Sequence, residues 1–188
     1  SLNADNAIIE GTAFGCTLDT ATAVFESGNV DAADFALDSG MPPGSNFELI
    51  SWKLNTPADL DGDGISDTAS ETDLDTGFTD GFFFTGPAGG MVFKSTIEGA
   101  KTSANTSYTR SELREMLRRG NTSISTRGVN QNNWILGYQP DPGIPVGGRN
   151  GVLRGTLAVS HVTETGDRIQ VGRVIIGQIH AESDEPAR

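Results

Sequence analysis

Short apolar runs separated by turn-forming residues constrain this chain more than any other feature. Phe47 to Leu54 (FELISWKL), Gly81 to Phe84, Met91 to Ile97, Asn133 to Tyr138, Val152 to Val162 and Val171 to Ala181 each read as a strand. Between them lie Gly, Asp, Asn, Thr and Ser, with 24 glycines in 188 residues, which suit tight turns. Repeated short strands of this kind predict an all-β sandwich or jelly roll. No apolar run approaches the ~18 residues of a spanning helix, so no membrane partner is expected. The length suits one domain, or one domain with an extension. Residues 1–46 are rich in Ala, Asp and Gly and end in the turn-forming Met41-Pro42-Pro43-Gly44-Ser45-Asn46. They read as an N-terminal extension to a body over 47–188.

Charge narrows the partners. The chain carries 13 Lys and Arg against 25 Asp and Glu, a formal net charge of −12. Nucleic acid is therefore not expected as a partner, because phosphate binding needs clustered cations. Only a local basic patch could hold a polyanion. An acidic surface also suits a secreted, extracellular protein that stays soluble in salt. The start, SLNADNAIIEG, has neither a basic nor an apolar leader region, so no signal peptide is expected in it. Cys16 stands alone, and reads either as a buried thiol or as half of a bridge to another polypeptide.

One acidic loop has the spacing of a calcium site. Asp59-Leu-Asp61-Gly-Asp63-Gly64-Ile65-Ser66-Asp67 places carboxylates at alternate positions, and Gly64 permits the sharp turn that returns the ninth residue. A hard cation needs six or more oxygens, and four carboxylates this close would repel one another without one. Asp59, Asp61, Asp63, the Ile65 carbonyl and Asp67 are the expected ligands of a structural Ca2+. Ser70 stands where an EF-hand has its bidentate Glu, and no helical pattern flanks the loop. The expected role is stabilisation of the fold.

Two segments carry chemistry. The first is Arg110-Ser111-Glu112-Leu113-Arg114-Glu115-Met116-Leu117-Arg118, and four of the thirteen basic residues fall between Arg110 and Arg119. Glu and Leu favour a helix here. A period-two strand would instead set Arg110, Glu112, Arg114, Met116 and Arg118 on one face, leaving Glu115 awkward among Leu113 and Leu117 on the other. The second is Val174 to Ala181, in which Gln178 and His180 share a face over an apolar reverse side. His161 continues the Leu157 and Val159 face and reads as structural.

Together these segments resemble the alginate lyases of polysaccharide lyase families seven and eighteen, whose hallmark strands are Arg-(Ser/Thr)-Glu-Leu-Arg and Gln-(Ile/Val)-His. Here they are RSELREML at 110–117 and QIH at 178–180, and FELISWKL and GRVIIGQIHA also look like that family. The resemblance runs from Phe47 to Arg188. It implies a β-jelly roll sandwich of two antiparallel sheets, with substrate on the concave sheet. It also implies endo-acting β-elimination on alginate or a related polyuronate. Arg110 and Gln178 match positions that neutralise the substrate carboxylate, and His180 one that acts as base or orients the base. Glu112, Arg114 and Arg118 would bind and position substrate, and Ile179 goes with acceptance of guluronate. The family's third hallmark, Tyr-Phe-Lys-x-Gly-x-Tyr-x-Gln, is missing, and the only tyrosines are Tyr108 and Tyr138. The jelly roll is therefore expected to be incomplete in this chain. A second polypeptide fragment carrying the tyrosine strand is expected as its partner. The competing expectation is a calcium-stabilised module that binds uronates without cleaving them.

Overall fold

The computed structural model describes residues 36–178, together with the backbone of two strands before them. In chain order the elements are β1 (Ala7–Ala13), β2 (Thr22–Glu26), α1 (Pro43–Asn46), β3 (Trp52–Asn55), β4 (Thr68–Ala69) and α2 (Glu71–Asp75). Then come β5 (Phe83–Thr85), β6 (Met91–Ser95), β7 (Glu112–Glu115), β8 (Trp134–Ile135), β9 (Gly148–Arg149) and β10 (Val152–His161). None of the described helices is long and apolar enough to cross a membrane. Cys16, Ile179 and His180 lie outside the described residues.

The strands form a five-stranded sheet in the order β2-β10-β1-β6-β5, a three-stranded sheet β4-β3-β7, and the short pair β8-β9. Pairing is antiparallel except at β2·β10 and β8·β9. The segment before residue 47 is sewn into this architecture, since β1 lies between β10 and β6. Asn46 joins the two parts again, donating through Nδ2 to the Gly89 carbonyl at 3.1 Å. At Gly44 a Cβ would fall 2.1 Å from the Leu74 carbonyl oxygen, so only glycine lets α1 lie this close to α2.

The core sits between the two larger sheets. Leu54 and Ala69 face it from one side, Phe83 and Met91 from the other, and Leu49 and Leu74 close it. The Phe83 and Phe93 rings, paired across β5 and β6, meet tilted at 5.1 Å. Alternation along β3 then decides the site. Leu54 and its cross-strand neighbour Leu113 point into the core, so Lys53, Asn55, Glu112 and Arg114 must share the opposite face.

Several expected strands are shorter than the apolar runs that signalled them, and one does not form over its described part. Trp52 N–H bonds back to the Leu49 carbonyl at 2.9 Å, which turns the chain before β3 begins. The Asn133–Tyr138 run yields only β8. Over Val171–Ala181 the described part does not form the expected strand. The Val171 N–H closes a turn onto the Asp167 carbonyl at 3.0 Å, and residues 173–178 join no described ladder. A strand is made by its partners, and apolar content alone supplies none.

Candidate active site

The RSELR segment is a strand, not a helix, but a short one. β7 covers Glu112–Glu115 and pairs with β3 in the register Lys53↔Arg114 and Asn55↔Glu112. Before it, the Ser111 hydroxyl donates to the Phe82 carbonyl at 3.0 Å and ties the segment to the neighbouring sheet. After it, the Arg119 N–H returns to the Met116 carbonyl at 3.0 Å, and Arg119 itself sits in the left-handed region at φ 48°.

Glu112 is the centre of the site. Its carboxylate accepts from Arg110 at 3.2 Å on one oxygen and from the Gln178 side-chain amide at 2.8 Å on the other. Glu112 and Gln178, sixty-six positions apart, are therefore in direct contact. Both hallmark segments are thus brought together, with an amide and a guanidinium aligned side by side as hydrogen-bond donors. Arg110 and Glu112 are each about one-third exposed, so a polymer can reach them.

Arg114 is held differently. Its guanidinium donates to the Thr126 carbonyl at 2.8 Å and to Asn133 Oδ1 at 3.1 Å. Asn133 in turn donates to the Gly128 carbonyl at 2.8 Å, so the loop after β7 is folded around this arginine. Asn133 was not among the expected site residues. It was hidden because an asparagine in a polar loop carries no periodic signal.

Arg118 lies outside this group. The turn after Glu115 carries it toward α2, where it makes a two-pronged contact with Glu71, at 2.5 and 3.2 Å. The side chains of the pair are 12% and 2% exposed. Arg118 also donates to the Ile124 carbonyl at 3.0 Å, and its backbone N–H to the buried Asn132 at 3.0 Å. Hydrogen bonding to Arg118 holds the Glu71 carboxyl below its ordinary range. The signal for α2 was present as Ser70-x-x-Asp73, a capping box in which each side chain caps the other's backbone N–H.

Glu115, awkward in the sequence, lies opposite Trp52 and accepts the Trp134 indole N–H at 2.6 Å. Burial pushes its carboxyl up, with the indole bond opposing. A raised carboxyl favours the folded state below the unfolded value of about 4.3, and that contribution is lost as pH rises through the folded value. Glu115→Gln is therefore expected to gain stability over the parent from neutral pH upward, as read by urea unfolding. Equal pH slopes for parent and variant above the unfolded value would refute this.

In the acidic loop, carboxylate oxygens of Asp59, Asp61 and Asp63 lie within 4.8 Å of one another. Oxygens on opposite sides of a calcium ion, each bonded at about 2.4 Å, would be that far apart, so these three fit a hard cation. Gly62 and Gly64 take φ of 75° and 82°, which the turn requires. Asp67 is engaged elsewhere, accepting the Leu60 N–H at 2.8 Å. The Ile65 backbone bridges Lys101.

The described strands thus form a β sandwich that carries an Arg–Glu–Gln cluster beside the outer face of one sheet. Comparison with known proteins places it in a family. A family model described as alginate lyase matches residues 47–188. An alginate lyase from Klebsiella pneumoniae is 57% identical over 148 residues, covering 78% of this chain and 48% of that protein. The crystal structure of the Klebsiella pneumoniae alginate lyase superposes with a TM-score of 0.51 at 56% identity, over 53% of this chain and 35% of the other. Alginate lyase A1-II', a member of polysaccharide lyase family 7, is 39% identical with a TM-score of 0.38, over 49% and 34% of the two chains. The chain belongs to the alginate lyase family, and its all-β fold is an incomplete jelly roll. It spans about half the length of its Klebsiella relative.

Proposed function

We propose that the protein is a secreted, endo-acting alginate lyase that cleaves a uronate polymer by β-elimination and leaves unsaturated oligosaccharides. The observation that carries this reading is Glu112, which gathers Arg110 and Gln178 on one carboxylate. Elimination removes the proton from C5, forms the C4=C5 double bond and breaks the C4–O bond, whose oxygen then takes up a proton. The C5 proton is too weakly acidic while the adjacent carboxylate is ionised. Donors placed against that carboxylate stabilise the enolate-like charge that develops on it. Arg110 and Gln178 supply such donors, and Glu112 fixes their spacing. His180, as a neutral imidazole, is assigned the removal of the C5 proton or the orientation of the base. Arg114 is assigned a neighbouring carboxylate or hydroxyl.

The proton for the leaving oxygen needs another donor. Tyr108 is engaged with Asp167 at 3.3 Å, and Tyr138 is 72% exposed on a loop. The reading assigns that donor to a second polypeptide packed against this one. The same fact favours the alternative, a uronate-binding module without turnover. Adding the protein to alginate and following ultraviolet absorbance separates the two. A rise from the unsaturated uronate supports the lyase, while binding with no rise supports the module.

A structural calcium ion at Asp59, Asp61 and Asp63 belongs to this proposal, with Asp67 and the Ile65 carbonyl turning toward it on binding. Calcium at a hundredfold excess over its dissociation constant would add about 2.7 kcal/mol. Chelation is then expected to lower the melting temperature by roughly 5–10 °C. An unchanged melting curve would remove calcium from the account.

A further inference from the structure

We propose that Lys53 is a further substrate-contacting residue, holding a second uronate carboxylate beside Arg114, one strand across the sheet from the Arg110–Glu112–Gln178 cluster. This rests on the reading above and deepens it. Lys53 lies directly opposite Arg114 in the β3·β7 register, and the Leu54–Leu113 pair beside it is turned into the core. Lys53 and Arg114 therefore project from one face, with Asn55 and Glu112 as the next pair along the same strands. Neighbouring strands are about 4.8 Å apart, and residues two apart on a strand roughly 7 Å apart.

The surroundings of Lys53 favour an anion. The ammonium is half-buried, and beyond burial the charge of Arg114 acts most strongly against it, with Glu71 acting in its favour and Arg118 and Arg127 more weakly against it. That carboxylate is already taken on both oxygens by Arg118. Among the described residues no carboxylate comes within ion-pair distance of Lys53. Arg114 is satisfied only by neutral oxygens, from Thr126 and Asn133. In a chain of net charge −12, Lys53 and Arg114 thus stand opposite one another with no carboxylate paired to either among the described residues. Burial first, and the nearby guanidinium groups second, lower the lysine's affinity for its proton, so its charge is held against a local cost. A polyuronate supplies the missing negative charge.

The test uses the full chain with a short oligouronate, and a neutral oligosaccharide of equal length as control. Lys53→Gln is expected to weaken oligouronate binding about tenfold in calorimetry and to leave the control unchanged. With alginate it should raise KM and leave kcat within about twofold, as expected when uniform binding is removed. Lys53→Arg should retain most of the affinity. Removing a repelled charge should leave the melting temperature of Lys53→Gln equal or higher, whereas a merely structural lysine would lower it. Unchanged oligouronate affinity in Lys53→Gln would overturn this inference and leave the lyase reading intact. If the parent chain itself bound no oligouronate, both would fall together.

Discussion

Replacing Glu71 by alanine is expected to cost roughly 3–5 kcal/mol of unfolding free energy and to lower the melting temperature by on the order of 10 °C. The magnitude follows from what is left behind. Glu71 and Arg118 are both removed from water, and their two-pronged contact satisfies each charge. Deleting one partner leaves the other charged and buried, which costs far more than the pair was worth. The damage also spreads, because Arg118 holds the Ile124 carbonyl and its backbone is fixed by Asn132. The loop that clasps Arg114 would then lose one of its two anchors.

The pH dependence carries a definite sign. The Glu71 carboxyl is held below its ordinary range, so its contribution is present above the unfolded value of about 4.3. It is lost as pH falls through the folded value. Urea unfolding of the parent should therefore weaken on acidification within that window, and Glu71→Gln should lose that component of the slope. A parent and a Glu71→Ala variant of equal stability at neutral pH would show that the pair is exposed in solution.

Much of this protein was legible in its sequence, and the gaps have physical causes. FELISWKL reads as a strand and RSELREML, by its residues alone, as either helix or strand; the structure pairs short strands from both, β3 and β7. The period-two reading of RSELREML extended too far. It set Arg118 beside Arg110 and Arg114, whereas β7 stops at Glu115 and a turn sends Arg118 to Glu71. Strand length depends on available ladder partners, which a single run of residues does not encode. Lys53 was missed for a related reason. Its importance comes from the register with Arg114, a relation between residues sixty-one positions apart. The Glu112–Gln178 contact was legible only through the resemblance that put the two hallmark segments in one site. In the acidic loop three of the four spaced carboxylates lie together, and what the spacing did not carry is the local bond that turns Asp67 to Leu60.

In the ultraviolet assay on alginate, Arg110→Ala is expected to lower kcat by about 10²–10³-fold, the effect of removing one donor aimed at developing charge. Gln178→Ala should fall in the same range, since the two donors lean on opposite oxygens of Glu112. Glu112→Gln tests the positioning role. Gln keeps the shape of the carboxylate but loses the charge that anchors both donors, and a loss of about 10–100-fold is expected. Donors held by one carboxylate act as a unit, so the Arg110→Ala and Gln178→Ala losses should not add. The double variant should be little worse than either single one. Additive losses would mean that Arg110 and Gln178 serve separate carboxylates, and the site would then be two independent contacts with no shared centre. Full turnover in Glu112→Gln would move the organising role away from Glu112 and would leave its contacts to Arg110 and Gln178 as a resting arrangement that substrate displaces.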